Sequence, residues 1–268
     1  MNKIVIENGL IKDKIVDNTI KVNYSVSDNF LAVNNLEISC LKDTSICIYY
    51  ANNYDIKFNV IINCLESVNV NLFEIYVDGK LKIRNTYNLE RTSNLTIQKF
   101  YDVEKINQFD IINMDGEYSN VNYILKTVSK NYEKYNLLIN HNSKNTFSNV
   151  INNAVNINNG KVIFDITGIV PKGMSNSTLN QNNRIVTFNQ NKCQINPNLL
   201  IDEDDVSANH SAFVGEFSYE ELFYLQSRGI RYDEALKLLI KGFLFNNLIL
   251  IDDITNALEV IIKKYCLF

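Results

Sequence analysis

The 268-residue chain contains no tryptophan, two prolines and nine glycines. Two prolines rule out a Pro-rich spacer, and the glycines are too few for a collagen-like or flexible-linker segment. Histidine is equally scarce, with only His141 and His210. The five cysteines, Cys40, Cys47, Cys64, Cys193 and Cys266, form no C-x-x-C pair. Their spacing suits neither a zinc site nor a disulfide framework. An odd thiol count fits a reducing compartment, and the N-terminal MNKIVIENGLIKDK has too short an apolar run for a secretory signal. A cytoplasmic location is therefore expected. No apolar run reaches the length of a membrane span. Net charge is −4, and Lys and Asp are scattered with no basic face visible along the chain. Neither nucleic acid nor a membrane is an expected partner.

The residue in excess is asparagine, roughly one in six. Asn tolerates the left-handed backbone and bonds its own main chain, which suits turns. It also stacks in ladders between the coils of a solenoid. A hydrophobic fraction of 46% and a charged fraction of 21% are those of a globular chain with a substantial core. From Lys3 to about Asn140, short segments carry β-branched or aromatic residues at period two. They are Lys3-Ile6, Ile20-Val26, Ile46-Tyr50, Lys57-Ile62, Ser67-Tyr76, Leu95-Phe100 and Val121-Val128. Asp78-Gly79 and Asp115-Gly116 are tight-turn dipeptides, suited to a hairpin or to joining successive faces of one coil. A further strand is expected over Gly160-Ile169. The spacing suits a sandwich, a barrel or a solenoid, and no clean repeat chooses among them.

After Gly215 the period changes to that of helices. Ser218 and Glu221 make a capping box, and Gly229 ends the first helix. Asp233 is placed to cap a second, whose apolar residues Ala235, Leu238, Leu239 and Phe243 fall on one face. A third is expected from Asp252 or Asp253. The chain thus divides into a β body over residues 1–216 and a helical part over 217–268.

The junction between these parts carries a resemblance. PNLLIDEDDVSANHSAFVGEF, LFYLQSRGI, NHNSKNTFS and GKVIFDITGIVPKGMSNSTLNQNNRIV resemble segments of the SufB/SufD proteins, the paired subunits of the SUF iron–sulfur cluster assembly scaffold. The resemblance is good from about Asn136 to Phe245 and general before that. It implies a mainly β chain: a right-handed parallel β-helix, expected as a single-sheet solenoid, followed by C-terminal helices. It implies a non-catalytic subunit that pairs through its β-helix with a SufB-like chain or a second copy and docks the SufC ABC ATPase through its helices. Asn182 stands where SufB has a cysteine, and Ser211 where SufB typically has Glu, so the chain is closer to SufD, as a short form starting directly with β structure. Ser211 also departs from the usual Gly.

No stably bound cofactor is implied, only an iron–sulfur cluster held transiently at the dimer interface. His210, expected in a turn, is the candidate ligand by resemblance; the plain alternative is a structural hydrogen-bonder. Cys193 is the second candidate, against a small buried hydrophobe. Cys40, Cys47 and Cys64 read as core. The acidic run Asp202–Asp205 reads as a solvated turn rather than a cation site, and His141 as a partner for backbone groups in a turn. Leu222, Phe223, Leu225, Arg228, Leu238 and Phe243 are the candidate ATPase-docking residues, with one helix face packing on the solenoid's end coil. The rival functions are a β-helix carbohydrate-active enzyme, which would need carboxylate clusters on a groove, and a purely structural solenoid.

Overall fold

In a computed structural model of the chain, residues 1–25, 34–53, 55–157, 160–188, 193–249, 252, 255–256 and 259–260 are described. One sheet of nine strands contains β1 (Asn2–Glu7), β2 (Leu10–Ile15), β5 (Thr44–Ala51), β7 (Asn69–Val77), β9 (Asn94–Asp102), β11 (Asn120–Ser129), β13 (Phe147–Asn156), β15 (Ser177–Thr187) and β17 (Val206–Gly215). A second, of eight, contains β3 (Ile20–Ser25), β4 (Asn34–Cys40), β6 (Ile56–Cys64), β8 (Lys80–Leu89), β10 (Lys105–Met114), β12 (Tyr132–His141), β14 (Lys161–Val170) and β16 (Gln194–Ile201). From β6 onward, each strand pairs in parallel with the strand two before it. The chain is a parallel β-solenoid of about six turns, as expected. Two details differ. Each turn has two faces, so there are two sheets rather than one, and the pairings β1–β2 and β3–β4 are antiparallel.

Period-two alternation works because one set of side chains fills the lumen and the other coats the outside. Tyr50, Tyr76 and Tyr101 occupy equivalent lumen positions in successive coils and stack at 4.4 and 4.7 Å. Buried Cys40 and Cys64 are in-register neighbours, and Cys47 is buried on the outer side, all as expected of core thiols. Cys266 lies outside the described residues. The asparagines form ladders. Asn88 donates to Asn63 at 2.8 Å, Asn113 to Asn88 at 2.9 Å and Asn140 to Asn113 at 2.9 Å. A second ladder runs from Asn120 to Asn94 to Asn69, at 2.8 and 2.9 Å.

The corners repeat as well. Ser67, Thr92, Tyr118, Asn145 and Asn176 all take a left-handed backbone in successive coils. Asp78-Gly79 carries the chain from β7 in one sheet to β8 in the other, both residues at positive φ, so it is a corner and not a hairpin. A Cβ on Gly116 would stand 2.0 Å from the Arg91 nitrogen of the coil below, which excludes any larger residue there.

Polar groups are also sealed inside. The Lys99 ammonium lies 2.8 Å from both the Glu74 and the Asp110 carboxylates. Asp110 accepts from Asn85, Gln108 and Tyr123, and Glu74 accepts from Tyr87. Further on, Glu133 accepts from Thr127 and Tyr135, both at 2.8 Å. Burial pushes its carboxyl up to about 7. His141 is buried at the end of β12, where burial lowers it to about 4. Its partners are side-chain hydroxyls rather than the expected backbone groups: Thr146 at 2.7 Å and Ser148 at 2.9 Å.

Helices α1 (Tyr219–Ser227) and α2 (Tyr232–Phe245) follow the last strand. The capping box of Ser218 and Glu221 is formed, and Gly229 leaves α1 at φ +82. The α2 N-cap is Arg231, not Asp233, which sits in the first turn and pairs with Arg231 at 3.1 Å. The buried face of α2 is Ala235, Leu236, Ile240 and Leu244, while Leu238 faces solvent. Leu236, Ile240 and Leu244 join Val128, Val155 and Val186 on the outer surface of the nine-stranded sheet. The helices therefore lie along the flank of the solenoid instead of covering its end coil, because that sheet presents an apolar outer row they can bury. The third expected helix lies largely outside the described residues.

Two outcomes follow from the lumen. Lys99→Met leaves two buried carboxylates without a cation and costs about 3–5 kcal/mol by urea unfolding. Replacing all three charges together, Lys99→Met with Glu74→Gln and Asp110→Asn, recovers much of that; equal stability of Lys99→Met and the parent contradicts the arrangement. Glu133 holds its proton in the fold up to about pH 7 but loses it near 4.5 when unfolded. The folded state thus binds more protons between those values, so the group's contribution worsens as pH rises from about 4.5 to 7. Glu133→Gln removes this, and its stability relative to the parent should rise by up to about 3 kcal/mol between pH 4.5 and 8.

Candidate functional site

The solenoid ends on an open coil. β16 and β17 are the terminal strands of their sheets, and among the described residues no strand pairs with their outer edges. In a closed stack each strand edge is satisfied by the next coil; here a row of main-chain donors and acceptors faces outward. Leu200, Phe213 and Val214 on these strands are exposed.

His210 is in the middle of β17, not in a turn as expected. The turn propensity of its surroundings, ANHSA, is overridden by in-register pairing with β15, where His210 stands opposite Gln181. Gln181 belongs to the lumen side, in register with Val150 and Tyr123 beneath it. His210 therefore sits on the lumen side at the solenoid's mouth, and it is exposed only because no further coil covers it. Asn182, next to Gln181, is exposed on the outer side opposite Ser211.

Cys193 is elsewhere, just before β16 at the far corner of the coil. Its sulfur accepts from the Val162 amide at 3.4 Å, it packs against the core, and burial pushes its thiol up. The structure does not bring it to His210 as one cluster, and among the described residues no three His, Cys, Asp or Glu side chains gather in a way that could hold a metal ion. The acidic run forms the turn expected of it. Glu203 accepts from the Gly173 amide at 2.7 Å and from the amides of Asp204 and Asp205, which holds its carboxyl below the usual range.

The helical flank adjoins the open coil. No α1 residue is buried, and Tyr219, Phe223 and Tyr224 are exposed, as are Tyr232 and Leu238 of α2. Arg228 is exposed, with its guanidinium 5.3 Å from the Tyr224 ring. Leu222 and Leu225 are half-buried, Leu222 against the flank cluster. Phe243 is turned inward. It packs edge-on against Phe217 at 6.1 Å, and its carbonyl accepts from Asn153.

One residue here has almost no signature in the sequence. Arg184 of β15 lies 5.1 to 5.8 Å from the rings of Phe213, Phe217 and Phe243, and 3.8 Å from Glu221 of the capping box. It joins the last coils to both helices through cation–π contacts. Its one sequence signal is a lone arginine at an outward strand position, in NNRIVTF.

Fold and site together define a parallel β-solenoid with an open strand edge and a helical flank. Residues 64–243 match the family model described as SUF system FeS cluster assembly, SufBD core domain. The match covers more than half of the chain, and the chain belongs to that family. It is similar to the iron-sulfur cluster assembly protein SufD of Bacillus subtilis (strain 168), 34% identical over 131 residues, 48% of this chain and 30% of that protein. It is also similar to iron-sulfur cluster assembly SufBD family proteins of Staphylococcus haemolyticus (strain JCSC1435) and Staphylococcus aureus (strain USA300). Each is 33% identical over 107 residues, 39% of this chain and 23% of theirs. The chain aligns with less than a third of the length of these relatives.

Arg184→Ala should lower global stability by about 1–2 kcal/mol. More specifically, amide exchange should accelerate in α1 and α2 while β6–β11 keep their protection. Unchanged exchange in the helices would show that Arg184 does not hold them.

Proposed function

We propose that the chain is a non-catalytic scaffold subunit for iron–sulfur cluster assembly. The observation that carries the reading is the open coil of β16 and β17, which lies within the family-matched region. Pairing of that edge with the edge of a SufB-like chain, or of a second copy, satisfies the exposed main-chain groups and covers Leu200, Phe213 and Val214. His210 then lies at the joint between the two solenoids. A cluster assembled there is cargo, not a resident group. His210 is one donor for it, and the remaining ligands come from the other chain.

The exposed face of α1 and α2, with Phe223, Arg228 and Leu238 above half-buried Leu222 and Leu225, is the proposed docking surface for a SufC-like ABC ATPase in the cytoplasm. Phe243 supports it from beneath. Such an apolar patch on a protein surface usually marks an interaction site. ATP hydrolysis then belongs to the partner. Against a carbohydrate-active enzyme, the buried carboxylates Glu74 and Asp110 are bridged by Lys99 inside the lumen, where no polysaccharide reaches them. Among the described residues no helix is long and apolar enough to cross a membrane.

Co-expression with a SufB-like subunit and a SufC-like ATPase tests this. The Phe223→Asp/Leu238→Asp variant touches exposed residues only, so its melting temperature should stay within a few degrees while ATPase binding, by calorimetry, weakens about tenfold or more. His210→Ala should leave both partners bound and lower the visible absorbance of a reconstituted cluster. Full ATPase affinity in the double variant places docking elsewhere, and unaltered absorbance makes His210 a structural residue.

A further inference from the structure

The outer surface of the eight-stranded sheet, on the side of the solenoid away from α1 and α2, is basic, although the chain as a whole carries a net charge of −4. This corrects the expectation that the lysines form no face. Lys57, Lys82 and Lys134 fall on one register row, with Asn107 between the last two. Lys80, Lys105 and Lys161 fall on the next, with Tyr132 between the last two. Arg84 and Phe109 stand in the middle of the row beside them, between Asn59 and Asn136, the guanidinium 5.2 Å from the ring. Lys134 is paired with Asp165 at 3.0 Å. Lys57, Lys80, Lys82 and Lys105 have no such partner within the described residues, and they line a groove of about 390 Å³ together with Asp55, Ile56, Leu81 and Asn107. Neighbouring strands are about 4.8 Å apart, and residues on the same face of one strand are about 6.8 Å apart. Four lysine ammonium groups share this small area with one carboxylate, Asp55, so the groove carries a net positive charge.

A second feature adjoins the first. One row further along the strands, Ile61, Thr86, Ile111 and Leu138 run side by side, none of them buried. Glu37 of β4 ends this row beyond Ile61, on the side away from the lysines of β10 and β12, and accepts from Asn63 at 3.2 Å. The surface is thus a lysine strip beside an apolar strip, with Arg84 and Phe109 between.

We propose that this face docks an acidic, amphipathic segment of a partner protein, carboxylates along the lysine rows and apolar side chains on Ile61, Ile111 and Leu138. The chemistry favours carboxylates on protein over phosphate. Six of the seven cations are lysines, compact point charges without the fork that matches phosphate geometry. The main-chain amides of β8, β10 and β12 are spent in the ladders on both sides, so none is left to cradle a phosphate, and among the described residues no helix N-terminus points at the groove. The apolar strip has no role for a polyphosphate. The overall negative charge repels a long polyanion while leaving a short acidic segment attracted locally.

The test uses the full chain and three probes: a fluorescein-labelled helical peptide with glutamates on one face and leucines on the other, a labelled thymidine 20-mer, and tripolyphosphate. Anisotropy at about 50 and 300 mM salt reads binding of the first two, and tripolyphosphate is tested as a competitor. The peptide should bind, more weakly at high salt, and Lys57→Glu/Lys82→Glu/Lys105→Glu should weaken it at least tenfold. The matched control Lys12→Glu/Lys14→Glu/Lys144→Glu makes the same change in net charge on exposed positions of β2 and of the turn after β12 and should shift affinity less than threefold. Ile111→Asn, which removes the apolar side chain without adding charge, should weaken the peptide without altering the oligonucleotide. Melting curves confirm that each variant folds, and Lys57→Gln/Lys82→Gln/Lys105→Gln, with an intermediate loss, replaces the reversal should that not fold. The proposal is overturned by equal losses in the two charge-reversal variants, or by tighter binding of the oligonucleotide than of the peptide. It is also overturned if tripolyphosphate competes at concentrations where chloride of equal ionic strength does not. Salt-sensitive self-association that the lysine reversal abolishes would show a second copy as the occupant and would overturn it too.

Discussion

Register is the constraint on which this structure depends. Each coil must stack on the last without slipping, because a slip of one residue would exchange the lumen side chains for the outer ones along a whole strand. Apolar packing alone enforces this weakly, since one isoleucine fits over another at several registers. The polar groups enforce it strongly. An asparagine ladder bonds only when Asn63, Asn88, Asn113 and Asn140 are level, and the same holds for Asn69, Asn94 and Asn120. Inside, Lys99 meets Glu74 and Asp110 only when β7, β9 and β10 are aligned. Each ladder bond is worth about 1 kcal/mol, but a slipped register leaves several buried groups unmet at once.

The two long ladders do not set where the solenoid stops: Asn140 already stands opposite Ile169 and Asn120 opposite Phe147, and the coils go on to β16 and β17. The stop comes after Gly215, where the period of the sequence changes from strand to helix. At that point the chain turns back as helices along the flank, fixed by Arg184 and the apolar row of Val128, Val155 and Val186. Both the open edge and the exposed helix face follow from this one change of course, and they are the two surfaces that the scaffold reading uses.

Much of this was legible in the sequence, and the illegible part has physical reasons. Strands with apolar residues at every second position, such as Ser67-Tyr76 and Val121-Val128, were visible because only one of their faces meets water. β2 was not, since it is an edge strand with almost no buried face, and β13 was hidden by lumen asparagines, Asn152 and Asn156, at positions where apolar residues are expected. The repeat itself was invisible because in-register partners drift from 25 residues apart in the middle coils to 31 at the end. His210 was found by resemblance but placed in a turn; its neighbours Asn209 and Ser211 carry turn propensity that parallel pairing overrides. The basic face could not be seen at all, because Lys57, Lys82 and Lys105 become neighbours only once the coils are stacked.

Hydrogen exchange of the full chain, followed residue by residue at low protein concentration and then with a SufB-like partner in excess, tests the central claim most directly. The account predicts slow exchange across β6–β15 in both samples. It predicts fast exchange at the outer-edge amides of β16 and β17 in the dilute chain, slowing by an order of magnitude or more when the partner is present. Edge amides already protected in the dilute monomer, or unprotected in the presence of a bound partner, would contradict an open coil that is completed by another chain.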